Sequence, residues 1–276
     1  MPTDYENERA FFDRIAAGRD PKPISQFDLD RYASPRWPQL FSKEMMFALA
    51  GDVRGKKILE VGCGEGVVSV QLAYCGAQVK GIDISGASIN VARRRAALNG
   101  VEVEFSVENV VEAESLGKEE YDIVWCDLIL HHLVDSLDKV ICKIDRALKP
   151  EGLFIAREPV AYARWLKAFR KIMPTQIEAT EDEQPLRDSE IAIARRHFPN
   201  LHLRHYRILA RADCITNRLA LIRMLARLDN ALFMFPRIAS LAGNVVMWSR
   251  KMLAWLSVSL ASLLTSDSVE AILWMV

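Results

Sequence analysis

Residues 56–73, KKILEVGCGEGVVSVQLA, and the echo at 79–85, VKGIDIS, decide the fold. Ile58, Leu59 and Val61 form a short apolar run rich in β-branched residues. The loop Gly62-Cys63-Gly64-Glu65-Gly66 follows at once, and from Val67 the apolar residues resume at helical spacing. That is a strand, a tight turn and a helix, the opening of a βαβ unit. Glycine belongs in such a turn because the chain must reverse sharply and leave its backbone bare, so that a ligand can lie against N–H groups at a helix start. A nucleotide-like ligand is the natural occupant of that strand end.

The charges narrow the ligand. A dinucleotide loop reads G-x-G-x-x-G and holds a pyrophosphate, whereas here the third glycine comes one residue early and Glu60 and Glu65 stand in the turn. Two carboxylates repel a pyrophosphate. A ligand with a cationic amino-acid portion and no phosphate, such as S-adenosylmethionine, suits them. About twenty residues further on, Asp83 ends the second apolar run, where a carboxylate can accept hydrogen bonds from both hydroxyls of a ribose. At this point the sequence resembles the class I S-adenosylmethionine-dependent methyltransferases of the small-molecule type, with an E-x-G-x-G-x-G loop.

The resemblance implies a Rossmann-like α/β fold, a doubly wound and mainly parallel seven-stranded sheet, with S-adenosyl-L-methionine as cofactor. It implies a cofactor site of Glu60, Gly62, Cys63, Gly64 and Gly66 at the first strand end, Asp83 and Ile84 at the second, Asn109 and Val110 after the third, and Asp127 after the fourth. Many family members carry aspartate where Asn109 stands, to accept a hydrogen bond from the adenine amino group. Asparagine keeps a carbonyl acceptor for that role. His131, His132 and Glu158 are the candidate acceptor-side acids or bases. The two histidines are adjacent, so at most one of them faces the acceptor. The stretch Asp127-Leu128-Ile129 is not the D/N-P-P-Y type sequence of amino-methyltransferases of DNA, which argues against base methylation. No metal ligand set is read.

Composition sets bounds around this reading. The chain has 276 residues, half of them hydrophobic, with 36 basic against 36 acidic residues and net charge +0, enough for one α/β domain with additions. Neutrality gives no overall attraction to nucleic acid, so a small-molecule acceptor is expected and no nucleic acid. Cys63, Cys75, Cys126, Cys142 and Cys214 are odd in number and scattered on apolar segments, without disulfide or zinc spacing. They read as reduced core residues of a cytoplasmic protein. The first twenty residues carry charge and no apolar run of the kind a signal peptide needs.

Along the chain, 1–50 reads as an N-terminal helical cap, with helices over 5–17 and 39–50. Its aromatics Phe27, Tyr32, Trp37 and Phe41 either wall the ligand pocket or simply pack. Residues 51–250 read as the methyltransferase domain. Within it, helices are expected over 87–99, 137–148 and 188–197, and strands over 101–107, 121–126, 153–156, 201–209 and 243–248. Arg93, Arg94 and Arg95 are expected to line a solvated face. The L-K-P-x-G element at 148–152 is a further feature of the resemblance, which covers 55–158. An insertion over 159–200, with an amphipathic helix at 161–173 and an acidic loop at 180–186, is expected to form a lid over the acceptor. A helical insertion over 213–235 separates the last two strands. Residues 251–276 form an apolar tail too interrupted, by Asp267 and Glu270, for a spanning helix. The tail reads either as a terminal helix packed on the domain or as a surface for peripheral membrane contact or homodimerisation. The reaction expected is O-, N- or C-methylation of a small, partly apolar metabolite, natural-product or lipid-like acceptor. Two other readings stand beside it: an RNA methyltransferase, and a methyltransferase-like protein that binds cofactor without turnover.

Overall fold

A computed structural model of the chain describes residues 5–114, 116–161, 185–214 and 218–252. Five strands run parallel: β1 (Lys57–Val61), β2 (Gln78–Asp83), β3 (Glu104–Val107), β4 (Tyr121–Asp127) and β5 (Leu148–Pro159). β7 (Asn244–Arg250) is antiparallel to both β5 and β6 (His202–Tyr206). The order is β3-β2-β1-β4-β5-β7-β6, so the winding reverses between β1 and β4 and their carboxyl ends open on one crevice. This is the expected mainly parallel, seven-stranded α/β sheet.

The sheet is buried on both faces because consecutive residues of its strands are apolar and send their side chains to opposite sides. Ile58, Ile123, Trp125 and Ile155 pack against Met46 and Phe47 of α3 (Ser42–Ala50) and Leu72 of α4 (Val67–Tyr74). Leu59, Val124, Phe154 and Ala156 pack on the other face, against α6 (Leu137–Ala147) and α7 (Asp188–His197). α6 shows the pattern clearly, since Leu137, Val140, Ile141 and Ile144 recur at one helical face and are all buried. α5 (Gly86–Leu98) starts where the Ser85 hydroxyl accepts the Ser88 N–H. Ahead of the sheet come α1 (Tyr5–Ala16) and α2 (Gln26–Ala33). Buried Glu44 ties α2 and α3 together by accepting from the Arg31 guanidinium at 2.7 Å and from the backbone N–H of Arg36 and Trp37 at 3.1 and 2.8 Å.

Several boundaries differ from the sequence reading, each for a local reason. α2 was not expected, although Ser25 caps it through the Asp28 N–H, an S-x-x-D start signal. α3 begins at Ser42 because Leu40 and Phe41 still donate to the Trp37 carbonyl in a tight turn. β3 is shorter than 101–107, since the Val101 N–H is spent on the Ala96 carbonyl at the end of α5. β5 runs on to Pro159 because β7 pairs with it through Arg157, Glu158 and Pro159. β6 stops at Tyr206: Arg207 turns left-handed (φ 67°), and the next three N–H groups, of Ile208, Leu209 and Ala210, all donate to the buried Asp229 carboxylate of α8 (Leu219–Leu232). Residues 162–184 of the expected lid and 253–276 of the tail lie outside the described residues. The chain returns at Leu186, whose backbone meets Pro159 and Ala161.

Candidate active site

The glycine loop closes β1 onto α4. The three glycines have φ of +71°, +50° and +76°, and the outer two are tight: a Cβ at Gly62 would lie 2.5 Å from the Ile129 side chain, and one at Gly66 would lie 2.7 Å from Ala92. Gly64 differs. A Cβ there would meet nothing within 4 Å, so its bare backbone faces open space, as a ligand cradle requires. Glu65, by contrast, points away from that space into an ion pair with Arg95 at 2.9 Å and Arg19 at 2.8 Å. Glu60 is therefore the carboxylate left beneath the loop, and of the α5 arginines Arg93 and Arg94 are exposed, as expected of a solvated face, whereas Arg95 is half-buried. Arg93 bonds the Phe105 carbonyl, and Arg95 also bonds the Glu65 carbonyl.

At the end of β2, Asp83 accepts the N–H groups of Gly64 at 2.8 Å and Ser85 at 2.9 Å. Burial pushes its carboxyl up, against those two hydrogen bonds and the nearby His132. Both backbone donors fix the carboxylate beside the open Gly64. Ile84 follows half-buried, and Val110 is buried after β3. Asn109 uses its side-chain oxygen to accept the Val111 N–H at 3.0 Å, which turns the chain at that strand end.

Beneath the loop, Glu60 is 2% exposed and accepts from the Ser69 hydroxyl. Burial, with a lesser push from Asp127, raises its carboxyl to about 8, against the Ser69 bond and the Lys43 ammonium. Across the crevice, Arg157 bonds Asp127 at 2.6 Å. Lys43 of α3 lies 4.7 Å from the Tyr32 ring centroid, and burial lowers its ammonium to about 8 while Asp127 and Glu60 oppose that shift. Lys43, Arg157 and Tyr32 are site groups that the sequence reading missed or left open. Of the other aromatics, Phe27 is 65% exposed, Trp37 stacks under Arg223 and Phe41 under Arg31.

A consequence of the Glu60 environment can be measured. Its folded value of about 8 lies above its ordinary 4.5, so the proton it retains on folding favours the folded state fully below pH 4.5, and that contribution is lost as pH rises toward 8. Glu60→Gln, which keeps an acceptor for Ser69, is expected to match the parent near pH 4.5. It should melt higher by pH 8, by a few kcal/mol at most. Melting curves from pH 4.5 to 8.5 check this, and a pH-independent difference would contradict it.

The turn after β4 holds the histidines. Leu128 is left-handed (φ 63°), and the chain then folds over Glu158, whose fully buried carboxylate accepts from the N–H groups of Ile129 at 3.0 Å and Leu130 at 2.8 Å. Its second oxygen meets His131 Nδ1 at 2.7 Å. Glu158 is thus committed to holding the turn. His132 Nδ1 pairs instead with Glu8 of α1 at 2.9 Å, and its ring meets Phe12 edge-on. α1 also reaches Ser136 through the Tyr5 hydroxyl, and Ser85 and the Ala87 N–H through Asp13. It straps across the crevice from the β4 turn to the β2 turn, over the carboxyl ends of those strands. A carboxylate at Nδ1 favours the tautomer with the proton there, so Nε2 is the basic nitrogen of both rings. Among the described residues, no group of three or more His, Cys, Asp or Glu could hold a metal ion. A groove of about 760 Å³ over the β1–β3 face, lined by Lys57, Lys80, Glu104 and Glu120, contains none of these site residues.

Residues 52–211 match a family described as a methyltransferase domain. The chain is 32% identical over 151 residues to the ubiquinone biosynthesis O-methyltransferase of Bordetella avium, covering 50% of this chain and 62% of that protein. It is 33% identical over 172 residues to the same enzyme of Photobacterium profundum, covering 55% and 70%. The chain thus spans less than two thirds of the length of the Bordetella relative. Among solved structures, the geranyl diphosphate C-methyltransferase of Streptomyces coelicolor A3(2), in complex with S-adenosyl-L-homocysteine, superposes with a TM-score of 0.56 at 12% identity over 91% of this chain and 99% of that one. That likeness is one of fold.

Proposed function

The chain belongs to the methyltransferase family whose domain its residues 52–211 match, and from that premise we propose that it transfers the methyl group of S-adenosyl-L-methionine to a hydroxyl oxygen of a small, partly apolar acceptor. The observation that carries the reading is the pairing of open backbone at Gly64 with the Asp83 carboxylate held beside it by two backbone amides. The likeness to O-methyltransferases favours oxygen over nitrogen or carbon. Net charge +0 and the same relatives disfavour RNA as substrate.

The cofactor, when bound, supplies an electrophilic methyl group on a sulfonium, so the S–C bond breaks as the O–C bond forms. The chain positions the partners in line and takes the hydroxyl proton. In this reading the 62–66 loop lies under the methionine portion, with Glu60 and Asp127 on the side of its ammonium and Lys43 on the side of its carboxylate. Asp83 accepts from the ribose hydroxyls, Ile84 and Val110 flank the adenine, and Asn109 stands at its edge. His132, close enough to Asp83 to act on its carboxyl, is the proton acceptor. His131, locked to buried Glu158, is a positioning residue.

The histidines therefore differ in what their loss does. His132→Ala is expected to lower turnover by about a hundredfold for a weakly acidic hydroxyl and, by releasing the partly exposed Glu8, to lower the melting temperature less than His131→Ala does. His131→Ala removes one of the hydrogen-bond donors to the buried Glu158 carboxylate and is expected to lower the melting temperature. Turnover and melting of both variants across pH check the split; equal, small losses with an unaltered pH profile would remove both from the mechanism. For the function itself, the protein is incubated with methyl-labelled S-adenosylmethionine and a panel of alkyl- and prenyl-substituted phenols and catechols. Label in an organic-extractable methyl ether supports the reading, and label in amines or RNA alone would overturn it.

A further inference from the structure

The helix between β6 and β7 carries an apolar face that nothing among the described residues covers. Leu221, Met224 and Leu228 recur at helical spacing on the outer side of α8 and are 37%, 50% and 48% exposed. The stripe continues past the helix end into Met234 at 80% and Phe235 at 63%. The opposite side of α8 is anchored: Ala226 and Asp229 are buried, Asp229 holds the 208–210 amides, and Arg223 lies 3.9 Å over the Trp37 ring. The exposed face is therefore held in place by the fold.

Charge identifies what the face meets. Between residues 218 and 240 the one acidic side chain is the buried Asp229, whereas Arg218, Arg227 and Arg237 are all exposed. Arg227 borders the stripe between Met224 and Ala231 on the helix surface, and Arg237 follows Phe235 by two residues. An apolar stripe rimmed by arginines suits a bilayer interface, where the apolar side chains enter the headgroup boundary and the guanidinium groups meet anionic lipid. A second copy fits poorly, because a two-fold contact sets this face against itself and brings the arginines together. No helix among the described residues is long and apolar enough to cross a membrane, so docking here is peripheral.

We propose that α8 and residues 234–237 dock the protein on an anionic lipid bilayer. The face sits at the carboxyl-end edge of the sheet, just past the end of β6, so a docked chain keeps the candidate site near lipid, where a partly apolar acceptor would partition. The docking itself does not depend on the methyltransferase reading, and its test uses neither cofactor nor acceptor.

The test is flotation of the full chain with extruded vesicles of phosphatidylglycerol and phosphatidylcholine in equal parts, against phosphatidylcholine alone, at low and high salt. Binding is expected with the anionic vesicles and is expected to weaken as salt rises. The triple variant Leu221→Ser, Met224→Ser, Leu228→Ser and the separate double variant Arg227→Glu, Arg237→Glu should each reduce the partition coefficient at least tenfold, with parental circular dichroism and melting. Failure of the parent to float would overturn the proposal. So would flotation of both variants at the parental level, which would place lipid contact on another surface, and so would a parental dimer in light scattering that the same variants abolish.

Discussion

Glu158→Ala is expected to be the most damaging single substitution in the candidate site, costing about 3–5 kcal/mol of stability. One buried carboxylate closes the turn after β4 by accepting from Ile129, Leu130 and the His131 ring. Alanine leaves those donors buried without an acceptor, each at a cost of about 1–3 kcal/mol. Glu158→Gln keeps an oxygen for the Ile129 and Leu130 amides and should recover at least half of the loss. Denaturant unfolding of the three proteins measures this, and a loss under about 1 kcal/mol for the alanine variant would mean that the turn stands without its anchor.

Asp83→Ala is expected to weaken binding of S-adenosyl-L-homocysteine by about ten- to a hundredfold, the worth of charge-assisted hydrogen bonds to the ribose. Loss of the Gly64 and Ser85 acceptor should also lower the melting temperature. Comparison with adenosine, which carries the ribose but not the amino-acid portion, locates the effect: both ligands should weaken alike. An unchanged dissociation constant would place the ribose elsewhere.

The parts of this chain that were legible from sequence are those where local pattern and tertiary role agree. The β1 run, the glycine loop and Asp83 lie within 28 residues, and their spacing alone dictates a strand, a turn and a carboxylate at the next strand end. α6 was readable because its buried residues follow the helical period. What could not be read is what the chain brings together from afar. Glu65 stands in the glycine turn, but Arg19 and Arg95, 46 and 30 residues away in sequence, pair with its carboxylate. Glu8, 124 residues from His132, lies on an ordinary charged helix, and nothing in its local sequence says that it reaches the β4 turn. Lys43 is one of many lysines on amphipathic helices, and its shift follows from burial between strand ends that sequence does not juxtapose. Of the acceptor lid expected over 159–200, residues 162–184 lie outside the described residues, and 188–197 form α7, whose Ile191 and Ala194 pack into the core of the domain.

The central claim, that the crevice over β1 and β2 is built for a sulfonium nucleoside and not for a dinucleotide, is tested most directly by calorimetric titration of the purified chain. S-adenosyl-L-homocysteine is predicted to bind at one site, to be displaced by S-adenosyl-L-methionine, and to be unaffected by NAD. Binding of NAD tighter than either sulfur compound would contradict the account.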